Sequence, residues 1–182
     1  MNLEVEIRAK VNDFTEIKKA LEKIRADFIK SETQTDRVFG ASKFLDSDNM
    51  IIEGGLSARI REVDGKRTLE FKEILREKGG MELSCEVSSS ELAEELLKKL
   101  DFEEAFTIKK LRESYSYKDF TICLDRLEQL GNFIEIEKIT SPDKMEKEKK
   151  ECLNLLNTIA PGAKIETRKY GDLIQELINQ KK

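Results

Sequence analysis

The chain has 182 residues, with 33 basic and 37 acidic side chains that nearly cancel to a net charge of -4. That length buries roughly two thirds of the unfolded surface, and the charge balance excludes both a broad nucleic-acid binder and a disordered acidic tail. There is no histidine, which removes Ser-His-Asp and Cys-His nucleophiles, HExxH zinc sites and histidine proton relays.

Cys85, Cys123 and Cys152 lie far apart, form no CxxC, and read as buried small apolar side chains in a reducing compartment. Met1-Asn2-Leu3-Glu4 has neither the basic nor the apolar region of a secretory leader, and no stretch approaches the ~20 apolar residues of a membrane span. The expectation is a soluble cytoplasmic protein with no membrane and no nucleic-acid partner.

Leu3 to Val11 alternates strictly, with Glu4, Glu6, Arg8 and Lys10 opposite the apolar set, as in a half-buried strand. Asn12 or Asp13 is placed to cap a helix whose apolar positions are Phe14, Ile17, Leu21, Ile24 and Phe28. Gln34 to Phe39 reads as a short strand, and Ser42 to Gly55 as an irregular segment ending in a Gly-Gly turn. Strands at Leu56 to Val63 and Arg67 to Ile74 meet at Asp64-Gly65, a strong hairpin signal, and Lys78-Gly79-Gly80 is a further turn.

The order then begins again. Met81, Leu83, Cys85 and Val87 alternate with polar residues, and Ser88 with Glu91 forms a capping box ahead of Leu92, Leu96 and Leu100. Strands follow at Phe106 to Tyr117, Phe120 to Asp125 and Asn132 to Ile139, separated by turns at Lys118-Asp119 and Gly131. Ser141 and Pro142 open a helix through Met145, Cys152 and Leu156, and Tyr170 to Asn179 is a terminal helix. Each half is strand, helix and three strands, with no linker between. The fold class is therefore α+β, a single domain over 1–182 of eight mainly antiparallel strands with flanking helices, a sheet that can close as a barrel or tunnel.

Charge is sorted on these strands. Residues at i and i+2 share a face, so Glu4 with Glu6 and Glu135 with Glu137 are acidic pairs, while Arg59 with Arg61 and Lys110 with Arg112 are basic pairs. Glu82 and Glu86 share a face, and Lys72 stands beside Leu69 and Phe71. Any one pair alone fits a solvated outer face; the whole set fits a charged cavity. Carboxylate pairs suit Mg²⁺ or Mn²⁺, and clustered Arg and Lys suit a polyphosphate. Uncompensated cations crowded in such a cavity would repel one another and destabilise the empty protein. No GxxxxGK[ST] is present, so this is no P-loop protein.

Glu4-Val5-Glu6-Ile7-Arg8 resembles the ExExK signature of the CYTH superfamily, the triphosphate tunnel metalloenzymes, which takes in class IV adenylyl cyclases and thiamine triphosphatases. Arginine stands in the lysine place, which keeps the charge but cannot supply a neutral amine. The resemblance continues through Ala58-Arg59-Ile60-Arg61, Thr68-Leu69-Glu70-Phe71-Lys72, Lys110-Leu111-Arg112, Cys123-Leu124-Asp125, the run Leu130 to Glu137 and Tyr170-Gly171-Asp172-Leu173. Gln34-Thr35-Asp36-Arg37-Val38-Phe39 looks most like the class IV cyclase branch.

The resemblance implies a tunnel of eight antiparallel strands. It implies Glu4, Glu6, Glu135 and Glu137 as metal ligands with Asp125 as a fifth, and Arg8, Lys10, Arg59, Arg61, Lys72, Lys110 and Arg112 as phosphate contacts. Glu82 and Glu86 would orient these cations or a water, and Glu4, Glu6, Lys72 and Arg112 are the expected catalytic residues. The implied activity is Mg²⁺- or Mn²⁺-dependent conversion of ATP to cyclic AMP and pyrophosphate. The alternatives are hydrolysis of tripolyphosphate or thiamine triphosphate, or a polyphosphate- or nucleotide-binding module without turnover, by a monomer or homodimer.

Overall fold

The computed structural model describes residues 3–75 and 82–181, so the turn expected at Lys78-Gly79-Gly80 and the strand position of Met81 lie outside the described residues. The elements in chain order are β1 (Leu3–Val11), α1 (Thr15–Lys23), β2 (Asp27–Ala41), β3 (Leu56–Val63), β4 (Lys66–Glu73), β5 (Glu82–Glu86), α2 (Ser90–Lys99), β6 (Phe102–Tyr117), β7 (Phe120–Leu127), β8 (Gly131–Thr140), α3 (Met145–Ile159), β9 (Lys164–Ile165) and α4 (Tyr170–Asn179). They build an antiparallel sheet of nine strands in the order β5-β4-β3-β2-β6-β7-β8-β1-β9. The strand beyond the expected eight is β9, two residues that pair with β1 at Ala9 and Lys10. The order ends at β5 and β9, and among the described residues no pairing joins those ends.

Three expectations shift. The first helix stops at Lys23 rather than reaching Phe28, because Arg25 takes a left-handed conformation (φ +60°) and the amides of Arg25 and Ala26 bond back to the carbonyls of Glu22 and Leu21. Those two bonds are a Schellman cap, which turns the chain out of the helix. Phe28 therefore sits on β2, which runs far beyond the expected Gln34 to Phe39, and its ring meets Tyr115 edge-on at 5.4 Å.

The second shift is in α2, where Ser89, not Ser88, is the cap and accepts the Leu92 amide at 3.2 Å. This helix buries Ala93 and Leu97, while Leu92, Leu96 and Leu100 are exposed. Arg37 of β2 explains the rotation: it donates to Glu94 at 2.6 Å and to Glu104 at 3.0 Å, drawing the Glu94 side of α2 towards it. The third is Cys85, which is exposed, whereas Cys123 and Cys152 are buried as expected.

The chain forms two compact units, Met1–Glu32 with Lys110–Thr167, and Thr33–Lys109 with Arg168–Lys182. In the first, alternation on β1, β7 and β8 directs Val5, Ile7, Ala9, Ile122, Leu124, Ile134 and Ile136 onto α1 and α3, where Leu21, Cys152, Leu156 and Ile159 close the core. Each Val, Leu or Ile among them contributes roughly 1.5–3 kcal/mol by leaving water. In the second, Phe39, Ala41, Ala58 and Ile60 pack with Phe102 and with Ala93 and Leu97 of α2. The β3–β4 hairpin turns at Asp64 and Gly65, both with positive φ, as its Asp-Gly dipeptide requires. In each unit one sheet face is consumed by the core. Period-two alternation then leaves the charged residues together on the other.

Candidate functional site

In the first unit the register fixes which charges meet. Across β1 and β8, Glu6 lies opposite Glu137 and Arg8 opposite Glu135, and directly opposed residues on an antiparallel pair point the same way. Across β7 and β6, Asp125 lies opposite Arg112.

Arg8 donates through Nε to Glu135 Oε1 at 2.5 Å and through Nη2 to Glu6. Arg112 grips Asp125 with both prongs of its fork, Nε to Oδ1 at 2.7 Å and Nη2 to Oδ2 at 2.6 Å, and also reaches Glu135 and Glu137. Lys110 adds a third donor to Asp125 at 3.1 Å. Asp125 is fully buried and lies against both of these cations. Lys10 lies over the Phe133 ring, its Nζ 5.8 Å from the centroid.

Burial dominates at Glu137. Burial pushes its carboxyl up to about 7, and Glu135, Glu4 and Glu6 add to the rise against the pull of Arg112. Burial opposes the charge of Arg112, yet Asp125 and Glu135 hold its guanidinium well above the ordinary value. The Cys123 thiol, beside this network, is pushed up to about 12 by burial.

In the second unit, Asp36 lies opposite Arg61, Arg59 opposite Glu70, and Lys72 opposite Glu82. Asp36 is buried and accepts two bonds from Arg61 at 2.7 Å each and one from Arg59 at 3.4 Å. Arg59 Nε donates to Glu70 at 2.7 Å, and Lys72 to Glu82 at 3.1 Å. Burial works against the charge of Glu82, and Lys72 with Arg59 and Arg61 still holds its carboxyl below the ordinary value. Glu86 lies opposite Thr68, on the face of Glu82.

The expectation of uncompensated cations is corrected by these contacts. Arg8, Arg59, Arg61, Lys72, Lys110 and Arg112 each meet a carboxylate. Charges placed at every second position on neighbouring strands become cross-strand pairs when the strands carry opposite signs. Asp36 and Glu70, which hold the arginine pair, were not among the expected site residues. The same two-residue spacing finds them, since Asp36 follows Gln34 and Glu70 precedes Lys72 on the polar face.

The donors available to a metal are carboxylate oxygens without nitrogen or sulfur partners, the set that suits a hard divalent ion. Among the described residues, no three carboxylates or thiols are gathered into a ready metal site, because Arg8 and Arg112 draw Glu6 and Glu135 to themselves.

The family model for the CYTH domain matches residues 2–170. The chain belongs to the CYTH domain family. A Methanocaldococcus jannaschii protein named "Putative adenylate cyclase" is 33% identical over 162 residues, spanning 85% of this chain and 90% of its own. The solved PH1012 protein of Pyrococcus horikoshii OT3 superposes with a TM-score of 0.78 at 32% identity, covering 94% of this chain and 99% of that one. A Hippeastrum protein described as a "Putative adenylyl cyclase" that reveals a dominant triphosphatase activity shares the fold, with a TM-score of 0.68 at 15% identity over 97% and 96% of the two chains. The CYTH match covers both charged faces described above. No helix among the described residues is long and apolar enough to cross a membrane.

Proposed function

We propose that this CYTH protein is a divalent-metal-dependent enzyme that acts on a triphosphate, with ATP converted to cyclic AMP and pyrophosphate. The observation that carries the reading is the β1–β8 register, which sets Glu6 beside Glu137 and Arg8 beside Glu135. Glu4, Glu6 and Glu137 would hold Mg²⁺ or Mn²⁺, with Glu135 joining when Arg8 turns to substrate. Such an ion supplies Lewis-acid polarisation of phosphate oxygens and of the attacking hydroxyl.

The chain's own residues do the rest. Asp125 has both oxygens engaged by Arg112, which suits it to orienting cations. Arg112 and Lys110 then present fixed donors to phosphate oxygens, and Arg59, Arg61 and Lys72 do the same in the second unit. Phosphoryl chemistry depends chiefly on such positioning and charge stabilisation. In the cyclase reaction the ribose 3′-hydroxyl would lose its proton to solvent water as its oxygen bonds to the α-phosphorus, while the bond from that phosphorus to the oxygen bridging it to the β-phosphorus breaks. Pyrophosphate leaves with the charge that the arginines neutralise. Arg8 cannot act as a base, because a guanidinium keeps its proton.

The M. jannaschii relative's name favours cyclisation, whereas the Hippeastrum protein's description favours hydrolysis of the terminal phosphate of a triphosphate such as tripolyphosphate or thiamine triphosphate. A product assay separates them: ATP, GTP, thiamine triphosphate and tripolyphosphate are incubated with Mg²⁺ or Mn²⁺. Cyclic AMP with pyrophosphate is the expected outcome. Faster orthophosphate release from tripolyphosphate assigns the protein to hydrolysis, and robust turnover in excess chelator overturns both. Binding without turnover of any of the four leaves a polyphosphate-binding module.

A further inference from the structure

Helix α2 and its C-cap residue carry three leucines at i, i+4 and i+8 that face away from the core. Leu92, Leu96 and Leu100 are 58%, 62% and 57% exposed, and Leu83 on β5 is 59% exposed. At about 100° per residue, these helix positions form one stripe about a quarter-turn from the buried Ala93 and Leu97. Glu94 lies on the opposite side of that buried pair, tied to Arg37 of β2, so the stripe is turned towards the β4 and β5 side of the sheet. Leu83 shares its sheet face with Phe71, its partner across β4, and Phe71 packs into the core beneath α2. Leu92, Leu96 and Leu100 therefore form an exposed apolar ledge along α2.

We propose that this ledge is the interface of a homodimer, with α2 packing antiparallel against α2 of a second copy about a two-fold axis near Leu96. The charges that flank the stripe identify the occupant. Glu91 and Glu95 lie on the N-terminal part of one flank and Lys99 on its C-terminal part, all exposed. In an antiparallel pair each flank meets its own copy reversed, so Lys99 of one chain falls beside Glu91 and Glu95 of the other, twice over. Leu96 meets Leu96, and Leu92 meets Leu100. A surface complementary to itself under a two-fold is what an isologous dimer requires, and flanking charges of this kind set partner and orientation.

The strand edge does not offer the same match. Antiparallel pairing of two β5 strands about Ser84 would set Glu82 against Glu86 of the second copy, and like charges directly opposed disfavour strand addition. The contact is assigned to the helix. It rests on the exposed face of α2 and is independent of the reaction proposed above.

Sedimentation equilibrium of the wild-type protein across the micromolar range tests it, with a dimer mass as the expected result. Leu96→Glu should halve that mass while leaving the far-ultraviolet circular dichroism unchanged, because the replaced side chain is outside the core. Lys99→Glu should weaken association by at least about tenfold, and adding Glu91→Lys and Glu95→Lys should restore it. In a Cys85→Ser background, Leu96→Cys treated with diamide should give a disulfide-linked dimer. A wild-type protein that stays monomeric at high micromolar concentration, or a dimer that survives Leu96→Glu intact, overturns the proposal.

Discussion

Replacing Arg112 with alanine separates two accounts of the charged face. If the cations merely repelled one another, Arg112→Ala would leave the empty protein as stable as before or more so. The structure argues for the reverse. Arg112 makes two bonds of 2.7 and 2.6 Å to Asp125, which is fully buried, and it also contacts Glu135 and Glu137. Removing one partner of a buried ion pair costs about 3–5 kcal/mol, because the other charge is stranded away from water. Asp125 would keep Lys110 at 3.1 Å and Glu135 would keep Arg8, which places the loss near the lower end, about 3 kcal/mol.

For a chain of this length such a loss lowers the melting temperature by roughly 6–12 °C. Urea unfolding at pH 7.5 without metal or phosphate reads it directly. Adding Asp125→Asn to Arg112→Ala should recover part of the loss, since the stranded charge is then gone. An Arg112→Ala protein that melts at or above wild type, with no recovery in the double variant, would refute this account.

Glu137 gives a pH prediction. Its folded value of about 7 lies above the ordinary 4.5, so the native state binds its proton more tightly and this contribution is lost as pH rises from 4.5 through 7. Glu137→Gln should flatten that dependence and, at pH 8, raise stability by up to about 3 kcal/mol relative to wild type, as measured by urea titrations at several pH values. Asp36→Ala should cost about 1–3 kcal/mol, reduced by the partial exposure of Arg59 and Arg61 and by the retained Glu70 contact, and tripolyphosphate should raise its melting temperature more than that of wild type. Lys138 gathers Asp119, Glu148 and Glu151 against α3, so Lys138→Met should destabilise by about 3 kcal/mol in thermal melts while leaving turnover intact.

Alternation made β1, β3 and β8 legible in the sequence, because charged residues at every second position separate one face of each from the apolar face. Alternation excludes pairings shifted by one residue, which would turn the apolar side chains out of the core, but pairings shifted by two keep the faces, so the register itself was not readable. The rotation of α2 was not legible. Leu92, Leu96 and Leu100 satisfy helical spacing as well as Ala93 and Leu97 do, and the choice depends on Arg37, a residue more than fifty positions earlier. The end of α1 was hidden for a related reason: Phe28 falls in phase with the helix, while the left-handed turn at Arg25 carries no glycine to announce it. On the charged faces, the residue types and spacing were readable from period two. Which carboxylate would neutralise which cation was not, because that depends on strands paired across distant parts of the chain.

The first strand of each sequence repeat is completed by strands from the other repeat: β1 pairs with β8, and β5 with β4. Arg8 and Glu135, bonded side chain to side chain, are 127 positions apart. At ordinary rates of synthesis, β1 therefore emerges roughly 6–25 s before the strand that will cover its edge. During that interval Val5, Ile7 and Ala9 have no sheet to join, and the first repeat holds an apolar strand that it cannot bury by itself. Expressed alone, either repeat should remain unfolded or aggregate, whereas the two fragments mixed have a route to reassembly. Translation speed and chaperone access thus become part of how this chain reaches its native state.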